Sequence, residues 1–371
     1  MSGEQIALDV SAVPAQLTGA GVYTYELARA LVETGEVRLT LVSRRSDGPR
    51  WAALSPERVV AVAPDSTPLR LAFGELGLSR AVSGKAPPVL LHGPHYTMPA
   101  RPKMPVVVTV HDLTLLEHPE WHERAKVAYF GHAIRHAARH ATRLVCVSAH
   151  TAARLEALLA PSCPVEVVPH GVDHARFGPE ETEPGADAAV LERLGVPSRY
   201  LLHLGTVEPR KNLPLLVRAF DELAGQDGEL ELVIAGNEAW GRAELDAAVA
   251  TARHGERIRR LGYVAHADVA ALLRGAAVVC YPSKEEGFGL PALEALACGA
   301  PLITSADSVM SELAGEAAWC FSGGAVELAA AINEALGAPG SRRTVGLERA
   351  AGYTWAACAA GHLAVYRQAL R

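Results

Sequence analysis

The chain has 371 residues, of which 49% are hydrophobic, and its formal net charge is −6. This length and apolar content suit two globular domains, each with its own core, and exclude a disordered chain. The acidic balance gives no general attraction for nucleic acid, so we expect a small molecule to be the main partner.

Cellular location is indicated by the cysteines and by the first residues. The six cysteines are scattered without a close pair, which favours reduced thiols in a cytoplasmic protein. Residues 6–10 read as a strand and do not resemble part of a signal peptide. No segment is long and apolar enough to span a bilayer.

Short β-rich segments alternate with helical segments in the first part of the chain. The predicted strands are residues 6–10, 37–42, 89–91, 106–110, 144–147 and 165–168. Such alternation is typical of a parallel sheet covered by helices. A polar segment rich in turn-forming residues follows at 178–185, and we place the domain linker there.

The alternation resumes beyond this linker. Further strands are predicted at 200–204, 230–235, 258–261, 278–281 and 302–304. We therefore predict an α/β fold with two doubly wound domains, residues 1–178 and 190–352. Such domains bind ligands at the carboxyl ends of their strands, so we expect the two domains to face a central cleft.

Residues 286–294 read Glu-Gly-Phe-Gly-Leu-Pro-Ala-Leu-Glu. Pro291 predicts a helix start, whose free N–H groups attract anions, and the glycines let a ligand approach the backbone closely. Glu286, just before this helix, and Glu294, in its predicted first turn, suit a ligand with several hydroxyls beside a phosphate. The alternative is that both carboxylates only complement the helix dipole.

Two cations follow the first strand of the second domain, within residues 203–212. Arg210 and Lys211 are predicted at the carboxyl end of that strand, where two fixed positive charges suit a diphosphate. A solvated basic pair at a helix start is the alternative. We favour the diphosphate because cations at that position oppose the helix dipole.

A glycine loop at 18–21 precedes a predicted helix over 22–32 and offers another helix N-terminus. The loop also raises the alternative of an NAD-dependent oxidoreductase. That alternative fits poorly because Thr24 stands where the dinucleotide fingerprint has its third glycine. The loop also lies too far beyond the strand for a tight turn.

His111 and Asp112 end the predicted strand 106–110 and are expected at a ligand site. The pair suits a catalytic base with its orienting group, a hydrogen-bonding clamp, or a structural contact, and we favour contact with a ligand. His92 and His95 follow strand 89–91 in the same way and are candidates for an acceptor pocket.

Seven segments, taken in order, resemble the motif series of glycosyltransferase family 4. They are residues 19–23, 111–113, 147–148, 169–173, 205–212, 262–264 and 286–294. The resemblance covers nearly the whole chain and implies retaining enzymes with the GT-B fold, which has two Rossmann-like domains. It also implies that a helix within 353–371 returns to pack on the N-terminal domain.

The resemblance implies roles for residues around the donor. Glu286 would contact the donor sugar, Glu294 the ribose, and His111 the transferred sugar. Arg210 and Lys211 would neutralise the diphosphate. The nucleobase would lie near Tyr263 and Val264. Further hydrogen-bond donors to the diphosphate would be Gly21 and the amides of Phe288, Gly289 and Leu290. Gly205 and Gly287 are the other donor-binding residues implied. Two positions depart from the family pattern: His170 replaces the usual Asn, and Val22 stands where many members carry Arg.

The chemistry implied is transfer with retention, without a protein nucleophile and without a metal ion, because the two cations can stabilise the departing diphosphate. Segments 91–94, 111–114 and 235–240 look most like the mannosyltransferase branch, so GDP-mannose is the expected donor and a UDP-sugar the alternative. The acceptor is a glycan, a lipid-linked molecule or a small molecule. Other open classes are a non-catalytic sugar-nucleotide-binding subunit and a GT-B phosphorylase or epimerase.

A predicted helix over 123–143 carries basic side chains on adjoining faces. It predicts either a solvated basic face or peripheral contact with anionic lipid on the inner face of the cell membrane. His132, His136 and His140 repeat there at helical spacing. A metal site is not expected, because interleaved arginines repel a cation.

Overall fold

A computed structural model describes residues 3–17, 19–83 and 87–371. The chain forms two compact units. The first contains Met1–Gly171 together with Thr354–Arg371, and the second contains Val172–Tyr353.

The first unit is a parallel sheet covered by helices. Its strands are β1 (Glu4–Asp9), β2 (Val37–Arg44), β3 (Arg58–Ala63), β4 (Leu90–Gly93), β5 (Val106–Val110), β6 (Arg143–Cys146) and β7 (Val165–Val167). Its first helices are α1 (Ala20–Thr34), α2 (Gly48–Ala52), α3 (Thr67–Ala72), α4 (Leu78–Ala81), α5 (Thr114–Glu117), α6 (Arg124–His140) and α7 (Ala149–Leu159). Shorter turns are 3-10 helices at Arg45–Asp47 and Pro119–Trp121 and a π-helix at Phe73–Gly77.

The second unit repeats this architecture. Its strands are β8 (Tyr200–Leu204), β9 (Glu231–Ala235), β10 (Ile258–Gly262), β11 (Val278–Tyr281), β12 (Leu302–Ser305) and β13 (Ala318–Phe321). Its helices are α8 (Ala186–Arg193), α9 (Leu213–Ala224), α10 (Arg242–Thr251), α11 (Val269–Gly275), α12 (Leu290–Ala297), α13 (Val309–Ala314), α14 (Ala325–Gly337) and α15 (Arg343–Ala351), with 3-10 helices at Pro209–Lys211, Gly255–Arg257 and Gly315–Ala317. The final helix, α16 (Trp355–Ala369), belongs to the first unit.

Both sheets are parallel, and in each the strand order reverses next to the first strand. Over the described residues the order is β3-β2-β1-β4-β5-β6-β7 in the first unit and β10-β9-β8-β11-β12-β13 in the second. Every residue of β5 and β11 is buried, as expected for strands covered by helices on both faces. The reversals between β1 and β4 and between β8 and β11 are where such sheets bind ligands.

Helix α9 shows how sequence pattern becomes packing in the second unit. Leu213, Leu216 and Phe220 recur at helical spacing and are buried against strand residues that include Leu232. Pro214 lies in the first turn of α9, where a missing N–H costs nothing. An apolar face of α9 therefore packs on this side of the sheet. The polar residues lie in the loops at the strand ends.

Helix α16 completes the first unit from a distant part of the sequence. Its N-cap residue is Thr354, whose side chain accepts a hydrogen bond from the Ala357 N–H at 3.0 Å. Gly171 lies against this start, and a Cβ atom added to it would come within 2.2 Å of the Trp355 backbone nitrogen. A glycine is therefore needed at 171 for the two backbone segments to approach each other.

The predicted α/β class with two doubly wound domains is confirmed. Each predicted strand is present within a few residues of its expected position, but β3 and β13 were missed. β3 carries Arg58 and shows only weak alternation of apolar and polar residues, and β13 has only four residues. Both are also edge strands, which receive less of the apolar burial that marks a central strand.

The compact units divide the chain at Gly171 and Val172 instead of at the predicted 178 and 190. Phe177 is buried in the second unit beside His266, and the Gly178 carbonyl accepts a hydrogen bond from Arg274 at 3.1 Å. Asp187, in α8, forms a bidentate ion pair with Arg274 at 2.6 Å. The polar composition at 178–185 therefore marks an exposed segment of the second unit.

Within the described part of the chain, no helix has both the length and the apolar character needed to cross a membrane.

Candidate functional site

An ion triad of Arg210, Lys211 and Glu286, in which only Arg210 is partly exposed, joins the loops that follow β8 and β11, at the reversal of strand order in the second unit. Glu286 Oε2 lies 2.5 Å from an Arg210 guanidinium nitrogen, and Glu286 Oε1 lies 2.5 Å from Lys211 Nζ. Glu208 holds Arg210 from the other side, with 2.7 Å between Oε2 and Nε. The structure thus brings Glu286 together with two predicted site residues that lie 75 and 76 positions before it.

The loops that carry the triad are tied to each other by backbone. The Lys284 N–H donates to the Arg210 carbonyl at 2.8 Å. Pro209 begins the 3-10 turn, and Asn212 ends it with a φ of 55°, a left-handed conformation that Asn tolerates well. The two cations therefore project from a short turn before α9, as the sequence predicts.

The charges in this triad are strongly coupled. Burial raises the pKa of Glu286, but the charges and hydrogen bonds of Arg210 and Lys211 outweigh burial and lower the pKa to about 2. Burial lowers the pKa of Lys211, and the carboxylate of Glu286 opposes that shift. Glu286 therefore stays ionised and holds two cations at a site where an anionic ligand would compete for them.

Helix α12 begins at Leu290, one residue before the predicted start. Gly289 precedes it with a φ of 94°, and a Cβ atom there would lie 2.4 Å from Met310 Cγ. The earlier start places Glu294 beyond the first turn, so the prediction of a first-turn carboxylate was wrong. Because the helix dipole acts mainly within the first turn, the alternative that Glu294 only complements the dipole loses its basis.

Glu294 is a second buried carboxyl group, 7% exposed. Burial raises its pKa to about 8, although Arg176 opposes the shift. Across the described ranges the Glu294 side chain has no hydrogen-bond or ion-pair partner. A mostly protonated carboxyl group can both donate and accept, which suits a sugar hydroxyl.

Three further polar atoms near the ends of β8 and β11 are buried without a hydrogen-bond partner among residues 3–17, 19–83 and 87–371. They are His203 Nε2, Tyr281 Oη and Ser283 Oγ. Burial raises the pKa of Tyr281 well above its usual range, and the nearby Glu294 and Glu286 carboxylates add to the shift. Sequence reasoning missed all three, because they lie in or beside buried strands where only their polarity marks them.

The predicted nucleobase residues directly follow an edge strand of the second sheet. Tyr263 and Val264 follow Gly262, the last residue of β10, and two strand spacings separate β10 from β8. Tyr263 is 42% exposed and Val264 is buried. Phe288, predicted to offer its amide, is itself buried, with its ring 6.1 Å from that of Tyr353.

His111 lies at the end of β5 in the first unit and is 8% exposed. Its Nε2 lies 2.8 Å from the Pro94 carbonyl, which can only accept, so Nε2 carries the hydrogen. Burial lowers the pKa of His111, which keeps the ring neutral and makes Nδ1 a hydrogen-bond acceptor. The ring packs edge-on against Tyr23, with centroids 4.9 Å apart.

Asp112 does not orient the His111 ring. Its Oδ1 accepts hydrogen bonds from the Thr114 N–H at 3.1 Å and from Thr114 Oγ1 at 2.8 Å. The carboxylate thereby stabilises the start of α5. This geometry removes the base-with-orienting-group alternative for the pair.

The expectation that His92 lines an acceptor pocket was wrong. Its Nε2 contacts Thr109 Oγ1 at 2.8 Å, and its Nδ1 contacts Tyr366 Oη at 2.7 Å, so both ring nitrogens are occupied. His95 differs, because it is partly exposed and its Nδ1 has no hydrogen-bond partner within the described residues, although burial lowers its pKa to about 3. His92 therefore stabilises the interior of the first unit, and the acceptor role of His95 stays a prediction.

His92 belongs to a chain of buried hydrogen bonds that reaches α16. His362 Nδ1 donates to the Cys358 carbonyl at 2.8 Å, which makes Nε2 an acceptor for the Tyr23 hydroxyl at 2.9 Å. Thr109 then donates to Tyr23 at 2.9 Å and accepts from His92 Nε2. His92 Nδ1 accepts from Tyr366, so one consistent proton order satisfies every member with both histidines neutral.

Gly21 lies inside the first turn of α1, because the helix begins at Ala20 and not at the predicted residue 22. A Cβ atom at Gly21 would lie 3.2 Å from Pro14 Cδ. Thr18, the first residue of the predicted glycine loop, lies outside the described residues.

Helix α6 ends at His140, so Arg143 belongs to β6 and not to the predicted basic helix. Arg135, Arg139 and His140 are exposed on it. The last two also complement the dipole at the C-terminal end. In the described ranges no group of three or more metal-ligating side chains is positioned to hold an ion.

Comparison with solved structures identifies the fold. Sucrose-phosphate synthase from Thermosynechococcus elongatus has a TM-score of 0.78 and 21% identity, and the match covers 98% of both chains. WaaG, a glycosyltransferase involved in lipopolysaccharide biosynthesis, has a TM-score of 0.74 and 15% identity over 96% of this chain and 99% of WaaG. Two Rossmann-like units with these neighbours define a protein of the GT-B class.

Two family models match the chain, one in each half. The model described as Glycosyltransferase Family 4 matches residues 17–176, and the model described as Glycosyl transferases group 1 matches residues 192–348. The chain therefore belongs to the family-4 glycosyltransferases.

Curated relatives share part of their length with the chain. O-antigen chain mannosyltransferase B of Escherichia coli is 30% identical over 232 residues, which is 62% of this chain and 60% of that protein. D-inositol 3-phosphate glycosyltransferase of Kineococcus radiotolerans is 36% identical over 231 residues, which is 56% of this chain and 52% of that protein. The matches thus span a little over half the length of these two relatives.

Proposed function

We propose that the chain is a retaining, metal-independent glycosyltransferase that moves a hexose from a nucleotide diphosphate sugar to a glycan, a lipid-linked molecule or a small molecule. The observation that carries the proposal is the ion triad of Arg210, Lys211 and Glu286 at the reversal of strand order. Glu294 adds an unpaired buried carboxyl group in the same unit.

The triad supplies what a departing diphosphate needs. A diphosphate oxygen would take over Arg210 and Lys211, and the released Glu286 carboxylate would accept hydrogen bonds from donor-sugar hydroxyls. Glu294 would bind the ribose hydroxyls. The cations then face the charge that develops as the glycosidic bond to the diphosphate breaks, which is usually the largest catalytic effect.

Retention would follow if the acceptor oxygen attacks the face that the diphosphate leaves. The bond between the sugar carbon and the diphosphate oxygen breaks, the acceptor oxygen bonds to that carbon, and its proton passes to the departing diphosphate. No protein nucleophile and no metal ion are required. His111 presents Nδ1 as an acceptor, which suits a hydroxyl of the transferred sugar.

GDP-mannose is the proposed donor, supported by the 30% identity to an E. coli mannosyltransferase. A UDP-sugar is the alternative. The Anabaena protein HepE, solved with UDP-glucose, has a TM-score of 0.75 but only 17% identity, so it supports the fold of the site without selecting the base.

Thermal unfolding against a panel of nucleotide sugars tests the proposal. The panel contains GDP-mannose, UDP-glucose, GDP, UDP and NAD, all with excess chelator. A ligand at one hundred times its dissociation constant should stabilise the protein by about 2.7 kcal/mol. We expect one nucleotide series to raise the melting temperature, Glu294→Ala to abolish the shift, and the exposed Glu192→Ala control to retain it. A shift with NAD alone, or with none of these ligands, contradicts the proposal.

We also propose a cytoplasmic location with peripheral contact between α6 and anionic lipid. The exposure of Arg135, Arg139 and His140 on one helix supports this contact. Sedimentation with phosphatidylglycerol vesicles at low salt should carry the protein down, and phosphatidylcholine vesicles should not. Equal recovery with both vesicles would leave a solvated basic face as the correct interpretation.

A further inference from the structure

His203 is a fully buried imidazole at the end of β8, and nothing in the donor site proposed above uses it. Its Nδ1 lies 2.9 Å from the Cys280 carbonyl on the neighbouring strand. Because a carbonyl can only accept, Nδ1 carries the hydrogen. Nε2 is the opposite atom of the ring, and it is buried without a partner in the described part of the chain.

The space in front of Nε2 is kept open by Gly205. A Cβ atom at Gly205 would lie 3.5 Å from His203 Nε2, 3.6 Å from Lys211 Cε and 3.8 Å from Lys211 Nζ. Any side chain at 205 would therefore occupy the gap between the imidazole and the ammonium group.

The protonation state of His203 determines which partner it can take. Burial and the nearby Lys211 charge lower its pKa to about 4, so the ring is neutral near pH 7. A neutral ring with hydrogen on Nδ1 can only accept at Nε2. A phosphate oxygen is therefore not a suitable partner, whereas the ammonium of Lys211 is.

Lys211 has more hydrogen-bond donors than Glu286 accepts. Its Nζ carries three N–H groups, and Glu286 Oε1 takes one of them. When donor-sugar hydroxyls bind Glu286, the ammonium loses part of that anchor. A flexible four-carbon side chain then needs another fixed acceptor to stay directed at the diphosphate.

We propose that His203 is a positioning residue for Lys211, accepting a hydrogen bond from Nζ when the diphosphate of the donor is bound. The ammonium would then be held between His203 Nε2 and a phosphate oxygen. The unpaired acceptor of the ligand-free protein, which costs free energy, is thereby satisfied in the complex. The inference rests on the donor site proposed above.

Two substitutions distinguish the contribution of His203 Nδ1 from that of Nε2. In His203→Asn the amide nitrogen can still donate to the Cys280 carbonyl, but nothing replaces Nε2. In His203→Gln the amide reaches the position of Nε2 and restores an acceptor. The pair therefore tests the acceptor and not the general packing of the strand.

The experiment measures the affinities of UDP, GDP, UMP and GMP by titration calorimetry. The readout is the ratio of the diphosphate affinity to the monophosphate affinity for the same nucleoside, which is the affinity gained from the second phosphate. We expect His203→Asn to lower this affinity ratio about tenfold, because a hydrogen bond to a charged group is lost. His203→Gln should stay within about threefold of the unsubstituted protein. In a Lys211→Ala background, His203→Asn should have no further effect, because its role acts through Lys211.

Each other outcome has a distinct meaning. If the unsubstituted protein binds no nucleoside diphosphate, the proposed donor site fails and the role of His203 fails with it. If it binds them and His203→Asn leaves the gain unchanged, only the positioning role is overturned. Proton uptake on diphosphate binding that disappears in His203→Gln would also overturn it, because His203 would then donate to phosphate as a cation.

Discussion

Gly289 shows how one residue sets the geometry of the candidate site. Its φ of 94° and the 2.4 Å that would separate an added Cβ atom from Met310 Cγ leave no room for a side chain. We predict that Gly289→Ala destabilises the protein by about 1–3 kcal/mol, measured by urea unfolding, because left-handed backbone strain adds to the clash. Gly228→Ala is the control, since its Cβ would meet open space. Equal stability of both variants would contradict this account.

Lys211 is the cation whose removal most directly tests the catalytic proposal. We predict that Lys211→Ala lowers turnover about a hundredfold, equivalent to about 3 kcal/mol of leaving-group stabilisation. Initial rates at saturating donor measure the effect. Lys126→Ala is the control, because Lys126 forms an exposed ion pair with Glu123. Unchanged turnover in Lys211→Ala would show that the triad has no part in the chemistry.

Individual residues differed in how far sequence could predict them. Arg210, Lys211 and Glu286 stand out because charged residues beside predicted strand ends have few structural reasons to be there. His203, Tyr281 and Ser283 gave no such signal, because a polar residue in a buried strand looks the same whether a partner satisfies it or not. Only the three-dimensional pattern of hydrogen bonds distinguishes the two cases.

At the level of elements, α16 is anchored by polar contacts as well as by apolar packing. Tyr366 donates to His92 Nδ1 at 2.7 Å within the buried hydrogen-bond chain. We predict that Tyr366→Phe lowers the free energy of unfolding by about 1–3 kcal/mol, because a buried acceptor loses its donor. Tyr263→Phe, at an exposed position, is the control. A Tyr366→Phe variant as stable as that control would mean that a water molecule replaces the hydroxyl.

Most of the strands and helices could be predicted from the sequence. Apolar strand segments and helix periodicity located most of both sheets. The start of α12 shifted by one residue, which moved Glu294 out of the first turn. A proline predicts a helix start only to within a position, because Pro is tolerated at the first and second helical residues alike.

For the whole molecule, seven buried or partly buried histidines imply a strong dependence of stability on pH. Burial is the main cause that lowers the pKa in each case, and the residues are His92, His95, His111, His170, His203, His266 and His362. Between the lowered folded value and about 6.5, the unfolded chain binds more protons than the folded chain. The contribution of these neutral histidines to the free energy of unfolding is therefore fully present above about pH 6.5 and is lost as the pH falls toward 4.

We predict that urea unfolding midpoints fall markedly from pH 7 to pH 5. A buried histidine with a folded pKa near 4 contributes a loss of about 2 kcal/mol at pH 5. Glu294 acts in the opposite direction, because its raised pKa of about 8 lowers stability as the pH rises from 4.5 through 8. Similar midpoints at pH 7 and pH 5 would show that these histidines are not neutral in the folded protein.

The return of α16 to the first unit has a consequence for biosynthesis. The second unit is one continuous segment, so it can finish folding as soon as residue 353 leaves the ribosome. The first unit is synthesised earlier but still lacks a helix that fills part of its interior. Until that helix emerges, Tyr23 lacks its partner His362 and His92 lacks its partner Tyr366. The part of the protein made first is thus the last to reach its native state, and a nascent chain arrested near residue 353 should expose its first unit to proteases.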